Sequence, residues 1–242
     1  PNIQAFVDRR LLRTANLDDF HSLEHVGEMA WARHDTPDAG LWEYRTRTAV
    51  HTYSAVMSWA ACDRLENAAR ILGLIERERH WRGPPAAIPQ AIETRAWSEG
   101  AGHFGASFGG RDLDASLLQP ADPRFLPAAD PRMAATFAAA EKALRRGEHM
   151  LRYDSEDDFG KPETAFNICT FWLIEALCLH GRCDEARALF ERMLGHATDA
   201  GLLSEDMDFE TGELWGNYPQ TYSLVGIINC AGLLSKPWST IR

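Results

Sequence analysis

Residues 166–195 read FNICTFWLIEALCLHGRCDEARALFERMLG, and this stretch decides the fold class. Its first half, residues 166–179, is apolar nearly all round, which suits a helix buried on most sides. Gly181 reads as the stop. The second half sets Ala186, Leu189, Phe190, Met193, Leu194 and Ala197 at spacings of three and four. Asp184, Glu185, Arg187, Glu191 and Arg192 fall on the other face. A buried helix followed by an amphipathic one is helix packed on helix.

The same period runs through the rest of the chain. Tyr53, Val56, Met57, Ala60, Ala61, Leu65, Ala68, Ile71, Leu72 and Ile75 form one apolar stripe. Asp130 followed by Pro131 is a helix start: the carboxylate caps free amides, and proline in the first turn gives up no hydrogen bond. That helix runs through Phe137 and Leu144 and is expected to stop at Gly147, behind Arg145 and Arg146. Pro162 and Pro219 read as similar openings, and further helices fit residues 2–12, 17–34 and 85–97. The expectation is an all-α chain of about eight or nine helices without a run of alternating strands. The connections at residues 36–48, 100–114, 151–161 and 201–219 are long for a helical protein, and loops of that length usually carry function.

Composition narrows the classes. The 242 residues are 45% apolar and 25% charged, an ordinary globular balance. With 35 acidic and 25 basic residues the net charge is −10, which works against nucleic acid or an anionic membrane as the main partner. The longest apolar stretch is broken by Asn167, Thr170 and Glu175 and falls short of the ~20 residues that cross a bilayer. No basic-then-apolar secretory segment opens the chain, and its start at Pro1 leaves processing or truncation open. Cys62, Cys169, Cys178, Cys183 and Cys230 sit in helical patterns. Their odd number does not look like a disulfide framework, so a reducing cytoplasm is expected.

Several patterns have a plain reading. His21, Glu24 and His25 match a zinc-protease spacing, but without a third ligand they read as a solvated helix face. Cys178, His180, Cys183 and His196 lack a paired C-x-x-C knuckle, and Cys178 reads as a small apolar filler. Gly109, Gly110 and Arg111 read as a turn. Residues 177–194 look like half of a helical repeat, but no period of roughly 34 residues supports an array. No metal and no organic cofactor is expected.

The loops carry the chemistry. DAGLWEYR (38–45) sets Glu43 between Trp42 and Tyr44, rings that would desolvate the carboxyl and favour the neutral form a general acid needs. LLSEDMD (202–208) places Glu205 and Asp206 at the head of a loop that continues through Gly212, Trp215, Gly216, Asn217 and Tyr218. A carboxylate in such a polar loop stays ionised and can take a proton from water. Two carboxyls in these roles are the minimum for glycoside hydrolysis. Aromatics offer faces to sugar C–H groups, and Arg152 and Asn217 can donate to hydroxyls.

At these residues the chain resembles the glucoamylase family, glycoside hydrolase family fifteen, in its bacterial glucoamylase and trehalase-like branch. The matching stretches are DAGLWEYR (38–45), HTYSAVMSWAACDR (51–64), ASFGGRDLDASLL (106–118), LRYDSEDDFGKPETAFNICTFWLIEAL (151–177) and GLLSEDMDFETGELWGNYPQTYSLVGIINCA (201–231). The resemblance implies an α/α toroid of helical hairpins with the pocket built from loops at one end. It implies inverting release of glucose from the non-reducing end of α-glucosides such as α-1,4-linked oligosaccharides. Glu43 falls on the family's general acid, Glu205 on its catalytic base and Arg152 on an arginine that contacts substrate hydroxyls. Phe166 falls on a pocket-wall aromatic, and Tyr44 departs from a second glutamate of the fungal branch.

An inverting pair keeps its carboxyls about 6.5–9.5 Å apart, leaving room for water. The resemblance covers the C-terminal two-thirds of the family's catalytic domain. Residues 1–242 are therefore expected to be one domain lacking the first helices and any preceding β-sandwich. Such an open ring would expose apolar helix faces and self-associate. Trehalose hydrolysis with the same carboxylates is the alternative substrate reading, and a non-catalytic carbohydrate-binding or interaction remnant the alternative outside the enzymes.

Overall fold

The capping box at Asn16 opens the first helix of a computed structural model that describes residues 16–119 and 124–235. These residues form two units. One takes the chain up to Trp97 together with 107–110 and 123–125; the other takes 98–106, 111–122 and everything from 126 onward. The helix expected over residues 2–12 lies outside the described residues.

In the first unit, Asn16 Oδ1 accepts from the Asp19 amide and Asp19 Oδ2 accepts from the Asn16 amide, each at 3.0 Å. Helix α1 (Leu17–Arg33) then packs on α2 (Thr52–Ile71). Gly27 permits the approach: a Cβ there would lie 2.0 Å from Leu65 Cδ1. The expected stripe of residues 53–75 is cut at Gly73, whose φ of 72° ends α2 and lets α3 (Ile75–Arg82) fold back on it. A 3-10 turn, Pro84–Ala86, leads into α4 (Ala87–Arg95), two residues shorter at each end than expected.

Glu24, which read as part of a solvated face, is buried. It accepts from Arg77 Nε at 2.6 Å and from Trp81 Nε1 at 2.8 Å. Burial would raise its pKa, but the Trp81 and Arg77 donors hold it below the usual carboxylate value. A charge inside a helical core persists because it is paired in this way.

In the second unit, Asp130 Oδ1 caps α5 (Pro131–Leu144) through the Arg132 amide at 2.8 Å. The helix ends three residues before Gly147, because Arg145–Arg146 leaves it to pair antiparallel with His149–Met150, with Gly147 turning at φ 60°. Pro162 opens no helix. The chain stays extended through Ala165–Phe166, which is bonded to Asp206–Met207, and α6 (Asn167–Leu179) begins only after it. Ten of the thirteen α6 residues are buried, as the all-round apolar pattern requires. Helix α7 (Cys183–Gly195) and helix α8 (Thr221–Leu234) pack against α6, and Gly226 admits the Phe171 ring to within 2.5 Å of where a Cβ would stand.

The reading of Cys178 as a mere filler is corrected. Gly181 (φ 81°) folds the chain so tightly that Cys178 and Cys183 come to 4.2 Å between Cα atoms and are disulfide-bonded. Cys62, Cys169 and Cys230 are buried free thiols. His180 stacks on Phe137 with ring centroids 4.5 Å apart, and His196 faces His149 at 5.4 Å. Gly109 and Gly110 form a turn closed by the Gly110 amide on the Ser107 carbonyl at 3.0 Å. Among the described residues no helix is long and apolar enough to cross a membrane.

Candidate active site

Five of the eight residues singled out from the sequence gather on one small sheet of the second unit. Its strands are Ala165–Phe166, Asp206–Met207 and Leu214–Trp215, all antiparallel, with Phe166 opposite Asp206 and Asp206 opposite Trp215. Glu205 enters the central strand with its backbone fixed from both sides. Its amide donates to the Asn217 carbonyl at 2.9 Å, and its carbonyl accepts from the Asn167 amide at 2.9 Å. Its Oε2 accepts from Asn217 Nδ2 at 2.8 Å and from the Asn217 amide at 3.2 Å. Gly216 makes this approach available: with φ of 78°, a Cβ would stand 3.0 Å from Oε2. Two donors on one oxygen fix the direction of the carboxylate.

Arg152 lies over Phe166 and Tyr153, its guanidinium 5.9 and 5.2 Å from the two ring centroids. Asp157 Oδ2 stands 3.7 Å from Nη2. Burial raises the Asp157 pKa, but the Tyr153 hydroxyl, the Phe159 amide and the Arg152 charge bring it below the usual carboxylate value. Asp157 thus holds the arginine, a role not read from the sequence, although its place in the RYDSEDD stretch was the available signal.

Asp206 differs from its neighbour. Burial pushes its pKa up to about 6; the Arg152 charge and the Thr164 hydrogen bond work against the rise, and the Glu205 charge adds to it. Its Oδ1 is buried without a hydrogen-bond partner, as are Arg152 Nε and Asn167 Oδ1. Trp215, opposite Asp206 and 52% exposed, adds an aromatic surface that the sequence placed in the loop but not in the site.

The other three residues belong to the first unit. The loop carrying them is tied by Asp38 and Ala49, which exchange both backbone hydrogen bonds at 2.9 and 3.1 Å. Within it, Asp38 Oδ1 accepts from the Gly40 amide at 2.5 Å, the Glu43 amide donates to Gly40 at 3.1 Å, and the Tyr44 amide donates to Ala39 at 2.9 Å. Glu43 occupies the left-handed region, φ 54°, unusual for a residue with a side chain. It is exposed, and Trp42 and Tyr44 do not enclose it, so the desolvation argued for Glu43 is found instead at Asp206. The Tyr44 ring stacks on His51, centroids 6.1 Å apart, and carries Arg47 at 3.8 Å. Among the described residues no three His, Cys, Asp or Glu side chains are grouped to hold a metal ion.

Comparison with known proteins adds an independent line. The model of the family described as "Glycosyl hydrolases family 15" matches residues 23–232. The chain is 38% identical over 201 residues to the trehalase of Thermoplasma acidophilum, a match covering 83% of this chain and 35% of that protein. It is 36% identical over 199 residues to the trehalase of Mycolicibacterium smegmatis, covering 80% and 29%. The chain therefore spans about a third of the length of the curated relatives it matches. A crystal structure of a bacterial glucoamylase complexed with acarbose aligns with 96% of this chain and 40% of its own, with TM-score 0.77 at 13% identity. That likeness is one of fold, and it gives the chain the all-α class expected from its helices and the α/α-toroid type implied by the family resemblance.

Proposed function

Since the chain belongs to glycosyl hydrolases family 15, we propose that it carries the catalytic carboxylates of an inverting α-glucosidase that releases glucose from the non-reducing end of its substrate. The observation that carries this reading is the Glu205 carboxylate, aimed by both Asn217 donors on the strand where Asp206 pairs with Phe166 and Arg152 lies over the Phe166 ring. In the reaction Glu205 takes a proton from water while the water oxygen bonds to the anomeric carbon. The bond from that carbon to the glycosidic oxygen breaks, and the oxygen leaves with the electron pair and receives a proton from Glu43. Attack from the opposite face turns an α-linkage into β-glucose. Arg152 and Asn217 donate to sugar hydroxyls, Asp206 accepts from one, and Trp42, Tyr44 and Phe166 offer apolar contacts. No metal or organic cofactor takes part in these steps.

The identity to trehalases at 36–38% favours α,α-trehalose within this reading, beside α-1,4-linked oligosaccharides. Proton NMR of glucose release from trehalose, maltose and maltoheptaose tests both, for the chain and its Glu205→Gln variant. Trehalose cleaved with inversion gives equal α- and β-glucose at early times, and maltose gives β-glucose from its non-reducing end. Saccharide binding without turnover would leave a binding remnant in place of an enzyme.

Two smaller proposals accompany the main one. The outer face of α8, with Tyr222, Val225 and Ile228 exposed, pairs with a second copy, so sedimentation should depend on concentration. A cytoplasmic setting is supported by the three buried free thiols and opposed by the Cys178–Cys183 bond. Thiol counting on freshly extracted protein decides between them.

A further inference from the structure

The turn that carries Glu43 sits on one imidazole ring. His51 is 9% exposed, precedes the first residue of α2, and packs beneath the turn. A Cβ on Gly40 would come within 2.8–2.9 Å of three atoms of that ring, so the Gly40 backbone lies directly on its face. Tyr44, one residue beyond Glu43, stacks on the same ring at 24° between planes. The ring therefore touches the turn on both sides of Glu43, at Gly40 and at Tyr44.

His51 is itself fixed. It pairs with Ser107 in an isolated bridge, and its carbonyl accepts from the Ala55 amide at 3.0 Å in the first turn of α2. Its Nε2 is buried without a hydrogen-bond partner, so the ring serves through its shape and faces there. Glu43 needs such a support. A side-chain-bearing residue in the left-handed region is strained unless its surroundings hold it there, and the Glu43 amide and the Tyr44 amide are each tied back into the turn.

We propose that His51 is a positioning residue for Glu43: its ring, packed against both Gly40 and Tyr44, holds the turn in the conformation that aims the Glu43 carboxyl. This rests on the reading of Glu43 as general acid, and it makes Tyr44 part of the support for the acid.

The test uses the full chain and the variants His51→Ala, His51→Phe and Glu43→Gln, with two readouts. The first is amide exchange. In His51→Ala the Glu43 and Tyr44 amides are expected to exchange about tenfold faster while the middle of α2 keeps its protection. The second is turnover of trehalose and maltose against α-glucosyl fluoride, whose fluoride leaves with the bonding pair and needs no proton from Glu43. His51→Ala is expected to lower kcat on the two disaccharides about 100-fold with KM nearly unchanged, and to leave fluoride hydrolysis within about threefold. His51→Phe, which keeps a flat ring, restores the disaccharide rate to within about threefold.

Unchanged exchange at Glu43 and Tyr44, an equal loss on fluoride and disaccharides, or no rescue by phenylalanine overturns the proposal. Disaccharide turnover by Glu43→Gln at the wild-type rate would instead overturn the role of Glu43. If the wild-type chain turns over none of the three substrates, the hydrolase reading fails, and amide exchange alone decides whether His51 clamps the turn.

Discussion

The two glutamates are held by opposite means. Glu205 enters a sheet strand with its amide donating to the Asn217 carbonyl, its carbonyl accepting from the Asn167 amide and its Oε2 accepting from Asn217. Glu43 sits in an exposed turn, φ 54°, supported by the packing of Gly40 and Tyr44 on the His51 ring. Hydrogen bonds with paired geometry define a direction, whereas packing against a ring defines a position and tolerates small rotations. In the proposed mechanism, the first arrangement serves a base that must orient a water, and the second serves a proton donor whose carboxyl has to meet an oxygen that moves as the bond breaks.

The contrast can be broken in measurable ways. Glu205→Gln should lower kcat by about a thousandfold or more while circular dichroism and Tm stay near wild type, since amide and carboxylate have nearly the same shape. A smaller loss would mean that another group takes the proton. Gly216→Ala acts on the same carboxylate through its surroundings. The new Cβ would meet Oε2 at a φ unsuited to alanine, so kcat should fall about 100-fold and unfolding free energy by about 1–2 kcal/mol. Unchanged kinetics would show that the Asn217 geometry is not needed.

Asp206 sharpens the comparison through pH. Its folded pKa of about 6 lies above the ordinary 3.8 because burial disfavours the charge. Between those values the native state binds more protons than the unfolded chain, so stability is fully present below the lower value and falls as pH rises through the upper one. Asp206→Asn removes that fall, and urea titration should find the variant more stable than wild type by about 2 kcal/mol at pH 7, with the gap closing below about pH 4. A constant gap across the range would remove burial of the charge as its cause. The smallest effect concerns the turn: Glu43→Gly relieves the left-handed strain and should stabilise the chain by about 0.5 kcal/mol while abolishing turnover. Destabilisation would mean that the Glu43 side chain makes contacts which outweigh its strain.

How much of this was legible in the sequence depends on the range of the interactions. The α5 start at Asp130 and Pro131 and the break at Gly181 follow from local rules, because a cap or a left-handed glycine acts within one turn of chain. Pro162 misled because the segment after it is held extended by Asp206 and Met207, more than forty residues away along the chain. Glu24 misled for a similar reason: its partners Arg77 and Trp81 come from another helix, so a charged position in an amphipathic pattern became a buried one. Arg152, Phe166, Glu205, Asp206 and Asn217 could be chosen by residue type and by family resemblance. That Asp206 is the desolvated carboxyl and Glu43 the exposed one could not, since adjacent rings in sequence need not enclose a side chain.

The helical framework, the loops that hold the candidate site and the family to which the chain belongs all follow from the sequence alone. Periodicity, caps and motif order act between near neighbours and survive without knowledge of the fold. Tertiary structure decided which carboxyl loses its water, which glycines must stay bare beside Glu205 and His51, and that Cys178 and Cys183 meet. Each of these depends on where side chains meet in space, even for cysteines only five residues apart, and periodicity and caps do not encode those contacts.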